Sequence, residues 1–212
     1  MAKALDFIDV PPDTGETGTK GLIVILHGWG ANAEDVASIV PFLQLSGYHF
    51  VFPNAPFPHP HSPIGRAWYD LSQDNMYEGL TESRELLIDC LQSLENSTGI
   101  PLNQTILSGF SQGGAMTLDV GLKLPFCGLI SMSGYLHSDI QNTAIPATNI
   151  LPSVLIMHGK QDAVVPLQAA QKSRDVIESL AVPLEYYEFE GGHQISSQML
   201  DVARTFILSN LT

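Results

Sequence analysis

Short aliphatic runs alternate with longer amphipathic stretches along this chain, and that order leaves few architectures open. The run Leu22–Leu26 is apolar at every position, so both of its faces need cover, as in a sheet strand with helices on each side. Similar runs predict strands over 21–26, 48–52, 104–108, 129–132, 154–157 and 184–189. The stretches between them predict helices near 33–45, 79–96, 112–123, 167–180 and 196–210. Strands and helices in turn imply an α/β fold with a mostly parallel central sheet, and 212 residues suffice for one such domain over 1–212.

The helix predicted at 79–96 has the clearest period: Leu80, Leu87, Leu91 and Leu94 share one face, and Glu78, Glu82, Glu85 and Asp89 the opposite one. The acidic stripe reads as solvated surface. It belongs to a balance of nine Lys and Arg against 22 Asp and Glu, a formal −13, with the cations scattered. Such a chain repels nucleic acid and anionic membranes, so neither is expected as a partner. No aliphatic run approaches the roughly 18 residues of a membrane span, and residues 1–12 lack a signal-like apolar core. A cytoplasmic protein without stable membrane insertion is expected. Cys90 and Cys127 show no ligand spacing, which predicts two buried thiols and neither a metal site nor a disulfide framework.

Five prolines between positions 53 and 63 exclude helix and central strand there. The segment is an ordered loop after a strand, a common place for sites in α/β sheets. His59 and His61 within it have no third ligand nearby in sequence and are assigned to the loop, not to a metal.

After the strand ending at Ser108 comes Gly109-Phe110-Ser111-Gln112-Gly113-Gly114, a GxSxG leading into a helix. That context describes a nucleophile elbow, with Ser111 on a strained strand-to-helix turn and glycines where side chains would strike neighbouring backbone. A serine needs a base, and an acid to fix the base's tautomer. In such elbows the acid and then the histidine follow the serine in chain order. Of the histidines beyond Ser111, His137 precedes nearly every plausible acid and His158 reads as a turn residue at a strand end. His193, in a loop between the last strand and the last helix, is the expected base. Asp139 and Asp162 both sit just beyond a strand's carboxyl end, and the tight His158-Gly159-Lys160-Gln161-Asp162 loop favours Asp162.

Acyl transfer also requires two amides aimed at the oxygen that becomes negative. Gln112, the residue after the nucleophile, supplies one; the Trp29 amide, in Leu26-His27-Gly28-Trp29-Gly30 after the first strong strand, is assigned the other. The same segment fits the dinucleotide pattern G-x-G-x-x-A over Gly28–Ala33. An NAD enzyme, however, wants an acid about 20 residues on, where this chain reads Phe52-Pro53-Asn54-Ala55. Trp68, just past the proline-rich loop, is a candidate for lining a substrate channel. A non-catalytic binding protein on the same fold is the alternative from another class.

Five blocks in fixed order resemble the phospholipase/carboxylesterase family: the Leu26–Gly30 segment, the loop from Ala55-Pro56 to Trp68-Tyr69-Asp70, Gly109–Gly114, His158-Gly159 through Asp162 to Val165-Pro166, and Gly192-His193. The resemblance implies an α/β-hydrolase fold without a large cap domain and no cofactor. It implies hydrolysis of carboxylic esters or thioesters with short to medium acyl chains. By position it places nucleophile, acid and base on Ser111, Asp162 and His193, and oxyanion donors on Trp29 and Gln112. The chain departs from the family's usual pattern at Trp29, Lys160 and Ala163. The expected partner is a small ester or thioester substrate, with a homodimer allowed but not indicated.

Overall fold

In the computed structural model, which describes residues 4–13, 18–138 and 151–211, nine strands appear in chain order. They are β1 (Phe7–Val10), β2 (Leu22–Leu26), β3 (His49–Pro53), β4 (Phe57–Pro58), β5 (Arg66–Ala67), β6 (Thr105–Phe110), β7 (Gly128–Met132), β8 (Ser153–Gly159) and β9 (Leu184–Phe189). Six α-helices accompany them: α1 (Ala33–Ala37), α2 (Val40–Leu43), α3 (Leu80–Thr98), α4 (Gln112–Gly121), α5 (Leu167–Ser179) and α6 (Ser197–Asn210). The main sheet has the order β1-β3-β2-β6-β7-β8-β9, parallel at every pairing except β1 with β3; β4 and β5 form a separate antiparallel pair.

The pleat sends alternate residues into two cores. Leu22, Val24, Leu26, Leu129, Val154 and Ile156 pack with the apolar faces of α3, α4 and α5. Ile23, Ile25, Ile130, Leu155 and Met157 pack on the other side with α1, α2 and α6. This two-sided burial makes the strands uniformly apolar. On α3 the four leucines face inward, while Glu82, Glu85 and Asp89, with Glu78 just before the helix, are exposed.

Three expectations change. β1 has no apolar run because it is an edge strand whose residues alternate between exposed and half-buried. The helix expected over 33–45 is divided into α1 and α2: Pro41 has no N–H for the Ala37 carbonyl, and its ring would strike that group in a continuous helix. Cys90 is buried, but Cys127 is only half-buried, and its thiol donates to the Asn210 carbonyl at 2.8 Å. Among the described residues no helix is long and apolar enough to cross a membrane.

Candidate active site

The site lies where the sheet changes direction. β2 and β6 are parallel neighbours, with Leu26 beside Gly109, yet the chain leaves β2 for β3 on one side and continues from β6 to β7 on the other. The loops after β2 and β6 therefore diverge around a crevice at the carboxyl ends of the strands.

Ser111 sits in that crevice at φ 54° and ψ −117°, between β6 and the first turn of α4. Its amide is tied to the Met132 carbonyl at 2.8 Å, which holds the turn against β7. The flanking glycines are sterically required. A Cβ on Gly109 would lie 2.3 Å from the Gly113 backbone, and one on Gly113 would lie 2.3 Å from the Leu26 carbonyl oxygen.

His193 and Asp162 arrive from the loops after β9 and β8. His193 Nε2 is 2.9 Å from Ser111 Oγ, and its Nδ1 is 2.7 Å from Asp162 Oδ2. The other carboxylate oxygen accepts the Val164 and Val165 amides at 2.9 and 2.8 Å. Burial alone would raise the Asp162 pKa. The bond from His193 and the two amides outweigh it and hold the carboxyl below its ordinary value. His158, a turn residue by sequence, is fully buried: its Nε2 lies 2.8 Å from the Val165 carbonyl and 3.4 Å from Asp162 Oδ2. Asp139 lies outside the described residues.

Gln161 joins the two loops. Its backbone amide donates to the Gly191 carbonyl, its side-chain carbonyl accepts the Gly191 amide at 2.5 Å, and its side-chain amide donates to Glu190. Gln112 makes a similar clamp on the opposite side. Its Oε1 accepts the Trp68 amide at 2.9 Å and its Nε2 donates to the Tyr69 carbonyl at 2.8 Å. Neither side-chain role has a local signal, because each partner is brought in from a distant loop.

Trp68 does not line a channel. It is fully buried just after β5, and its indole N–H donates to the His27 carbonyl at 3.0 Å, which turns the ring toward the end of β2. A cavity of about 320 Å³ is lined instead mostly by apolar and aromatic residues, among them Trp29, Phe57, Pro58 and Tyr69, together with the carboxylates Asp70 and Glu78. Trp29 is 37% exposed and packs edge-on against His59. Beneath Tyr69 lies a buried polar cluster. The Asp119 carboxylate receives Arg84, Lys123 and His137, and His137 Nε2 is 2.9 Å from the Tyr69 hydroxyl, which meets that of Tyr135 at 2.7 Å. Burial would raise the Asp119 pKa, but His137, Arg84 and Lys123 together hold it well below the ordinary range.

The start of α1, where a dinucleotide phosphate would sit, is already capped: Asn54 accepts the Ala33 amide and Asn32 accepts that of Asp35. No group of three His, Cys, Asp or Glu side chains suited to a metal occurs among the described residues.

The sequence pattern described as Phospholipase/Carboxylesterase matches residues 13–211. The chain belongs to this family. Among curated phospholipase/carboxylesterase-like relatives, acyl-protein thioesterase 1 of Eremothecium gossypii is 30% identical, covering 91% of this chain and 88% of that protein. Acyl-protein thioesterase 1 of Neurospora crassa is 27% identical over 95% and 90%. Of solved structures, that of esterase PE8 is 30% identical with a TM-score of 0.88, covering 99% of this chain and all of that one. Membership makes the protein a carboxylesterase-type hydrolase with an α/β-hydrolase fold. No large cap domain stands over the sheet among the described residues.

Proposed function

We propose that the protein cleaves carboxylic esters or thioesters of short to medium acyl chains through an acyl-enzyme on Ser111. The observation that carries this reading is the continuous hydrogen-bonded line Ser111–His193–Asp162 at a strained elbow. His193 Nε2 takes the serine proton as Oγ attacks the carbonyl carbon, and Asp162 holds the ring with its proton on Nδ1 and stabilises the imidazolium. The amides of Gln112 and Trp29 receive the oxyanion. His193 then returns the proton to the leaving alcohol or thiol. In the second half, a water gives its proton to His193 and attacks the acyl carbon; the bond to Ser111 Oγ then breaks as His193 returns that proton to the serine, freeing the acid.

The cavity beside Trp29 and Tyr69 fits an apolar acyl group, and its modest volume supports the short to medium range. Acyl-protein thioesterase 1 and esterase PE8, by their names, act on a thioester and an ester, which supports both leaving groups. One domain working in the cytoplasm without a cofactor completes the proposal.

Labelling with a fluorophosphonate tests it. The adduct should map to Ser111, and Ser111→Ala should lose about 10⁶ in kcat on p-nitrophenyl butyrate. A chain-length series of matched esters and thioesters then fixes the preference. Unlabelled Ser111 together with full turnover by the alanine variant would overturn the proposal in favour of a binding protein.

A further inference from the structure

His27 is fully buried beside the elbow, and both ring nitrogens have partners. The Ala55 amide lies 3.0 Å from Nε2, and an amide N–H can only donate, so Nε2 must offer its lone pair. The proton of the neutral ring is therefore on Nδ1, which lies 2.7 Å from the Gly28 carbonyl oxygen. That oxygen also accepts the Ala31 amide at 3.2 Å.

The Gly28 carbonyl and the Trp29 N–H belong to one peptide unit. No peptide bond among the described residues is cis, so the two dipoles point in opposite directions. Anchoring the oxygen fixes where the N–H is aimed, and polarising the carbonyl strengthens the N–H as a donor. The peptide is also in the right place, since a Cβ on Gly28 would lie 3.3 Å from Ser111 Cβ.

We infer that His27 is a positioning residue for the oxyanion donor, its single tautomer setting the plane of the Gly28–Trp29 peptide toward the charge that develops beside Ser111. The inference rests on the proposed role of the Trp29 amide. The indole of Trp68 holds the His27 carbonyl at 3.0 Å, and the two rings lie 5.7 Å apart, so the imidazole is confined. Burial lowers its pKa to about 4, which keeps the ring neutral and its tautomer singular at physiological pH.

Two substitutions separate the ring's nitrogens. Asparagine places its amide near the position of Nδ1 and can still donate to Gly28; glutamine reaches the position of Nε2 and leaves the Gly28 carbonyl without that donor. His27→Gln should lower kcat on p-nitrophenyl butyrate about 10- to 100-fold with KM within about twofold, and weaken a trifluoromethyl ketone inhibitor by a similar factor. His27→Asn should retain most of both. Equal losses in the two variants that follow their Tm, or a loss confined to KM, would reduce His27 to a structural residue and overturn the inference. Nitrogen-15 spectra of the wild-type imidazole at pH 7 give a test independent of variant folding: Nδ1–H is expected, and Nε2–H or a charged ring overturns it. Absence of fluorophosphonate labelling at wild-type Ser111 would instead remove the hydrolase reading beneath it.

Discussion

A Cβ built on Gly113 would stand 2.3 Å from the carbonyl oxygen of Leu26, so the first turn of α4 meets the end of β2 with no room for a side chain. The obstacle is backbone, which cannot rotate away. Gly113→Ala must therefore push the elbow from the end of β2 and the loop that carries the proposed oxyanion donor, and a displacement near 1 Å costs about 100-fold in rate. The expected result is a fall of about that size in kcat on p-nitrophenyl butyrate, with about 1–3 kcal/mol of stability lost in urea melts. Wild-type kcat in a folded variant would show that the contact does not set the catalytic geometry.

Asp162 fixes the orientation of His193 through Oδ2 while its other oxygen is occupied by two amides. Asp162→Asn preserves the shape but presents a carboxamide to Nδ1, favouring the tautomer that cannot accept the serine proton. A loss of about 10⁴ in kcat at pH 7 is expected. Stopped-flow acylation should show the loss in the first half-reaction, and an effect below tenfold would reassign the acid.

Much of this was legible in the sequence because it is local. β2 reads as a strand from five consecutive apolar residues, and the elbow reads from glycines that its own turn demands. What escaped depends on partners distant in the chain. β1 exists through antiparallel pairing with β3 and alternates between exposed and half-buried. Trp68 and Tyr69 are neighbours, yet only Tyr69 borders the cavity, because backbone direction after β5 decides which ring turns toward it. Asp119 lies on a helix, and nothing nearby announces that Arg84, 35 residues earlier, and His137, 18 residues later, converge on it.

That buried cluster has a thermodynamic consequence. Removing the Asp119 carboxylate takes away the buried acceptor that Arg84, Lys123 and His137 share, so Asp119→Ala should cost about 3–5 kcal/mol. The pH dependence follows from the depressed folded-state pKa. Such a carboxylate contributes stability that is fully present above the unfolded value of about 3.9 and disappears as pH falls toward the folded value. The stability gap between wild type and Asp119→Asn, measured by urea unfolding, should be wide at pH 7 and narrower at pH 3. A gap that widens on acidification would contradict the ionised state assigned to Asp119.

The two tryptophans should behave oppositely. Trp68→Phe keeps an aromatic ring in the core but removes the donor to the His27 carbonyl, a buried bond whose loss costs about 1–3 kcal/mol. At about 2–4 °C per kcal/mol for a protein of this size, its Tm should fall by several degrees. Its acyl-length preference should stay unchanged, since the side chain does not line the cavity between Trp29 and Tyr69. Trp29→Ala removes a cavity wall that is 37% exposed, while leaving in place the backbone amide proposed as oxyanion donor. Its Tm should barely move, and its kcat/KM profile from acetyl to octanoyl p-nitrophenyl esters should shift toward longer chains. The reverse pattern, with Trp68→Phe changing selectivity and Trp29→Ala changing only Tm, would place the acyl group elsewhere than the cavity between Trp29 and Tyr69.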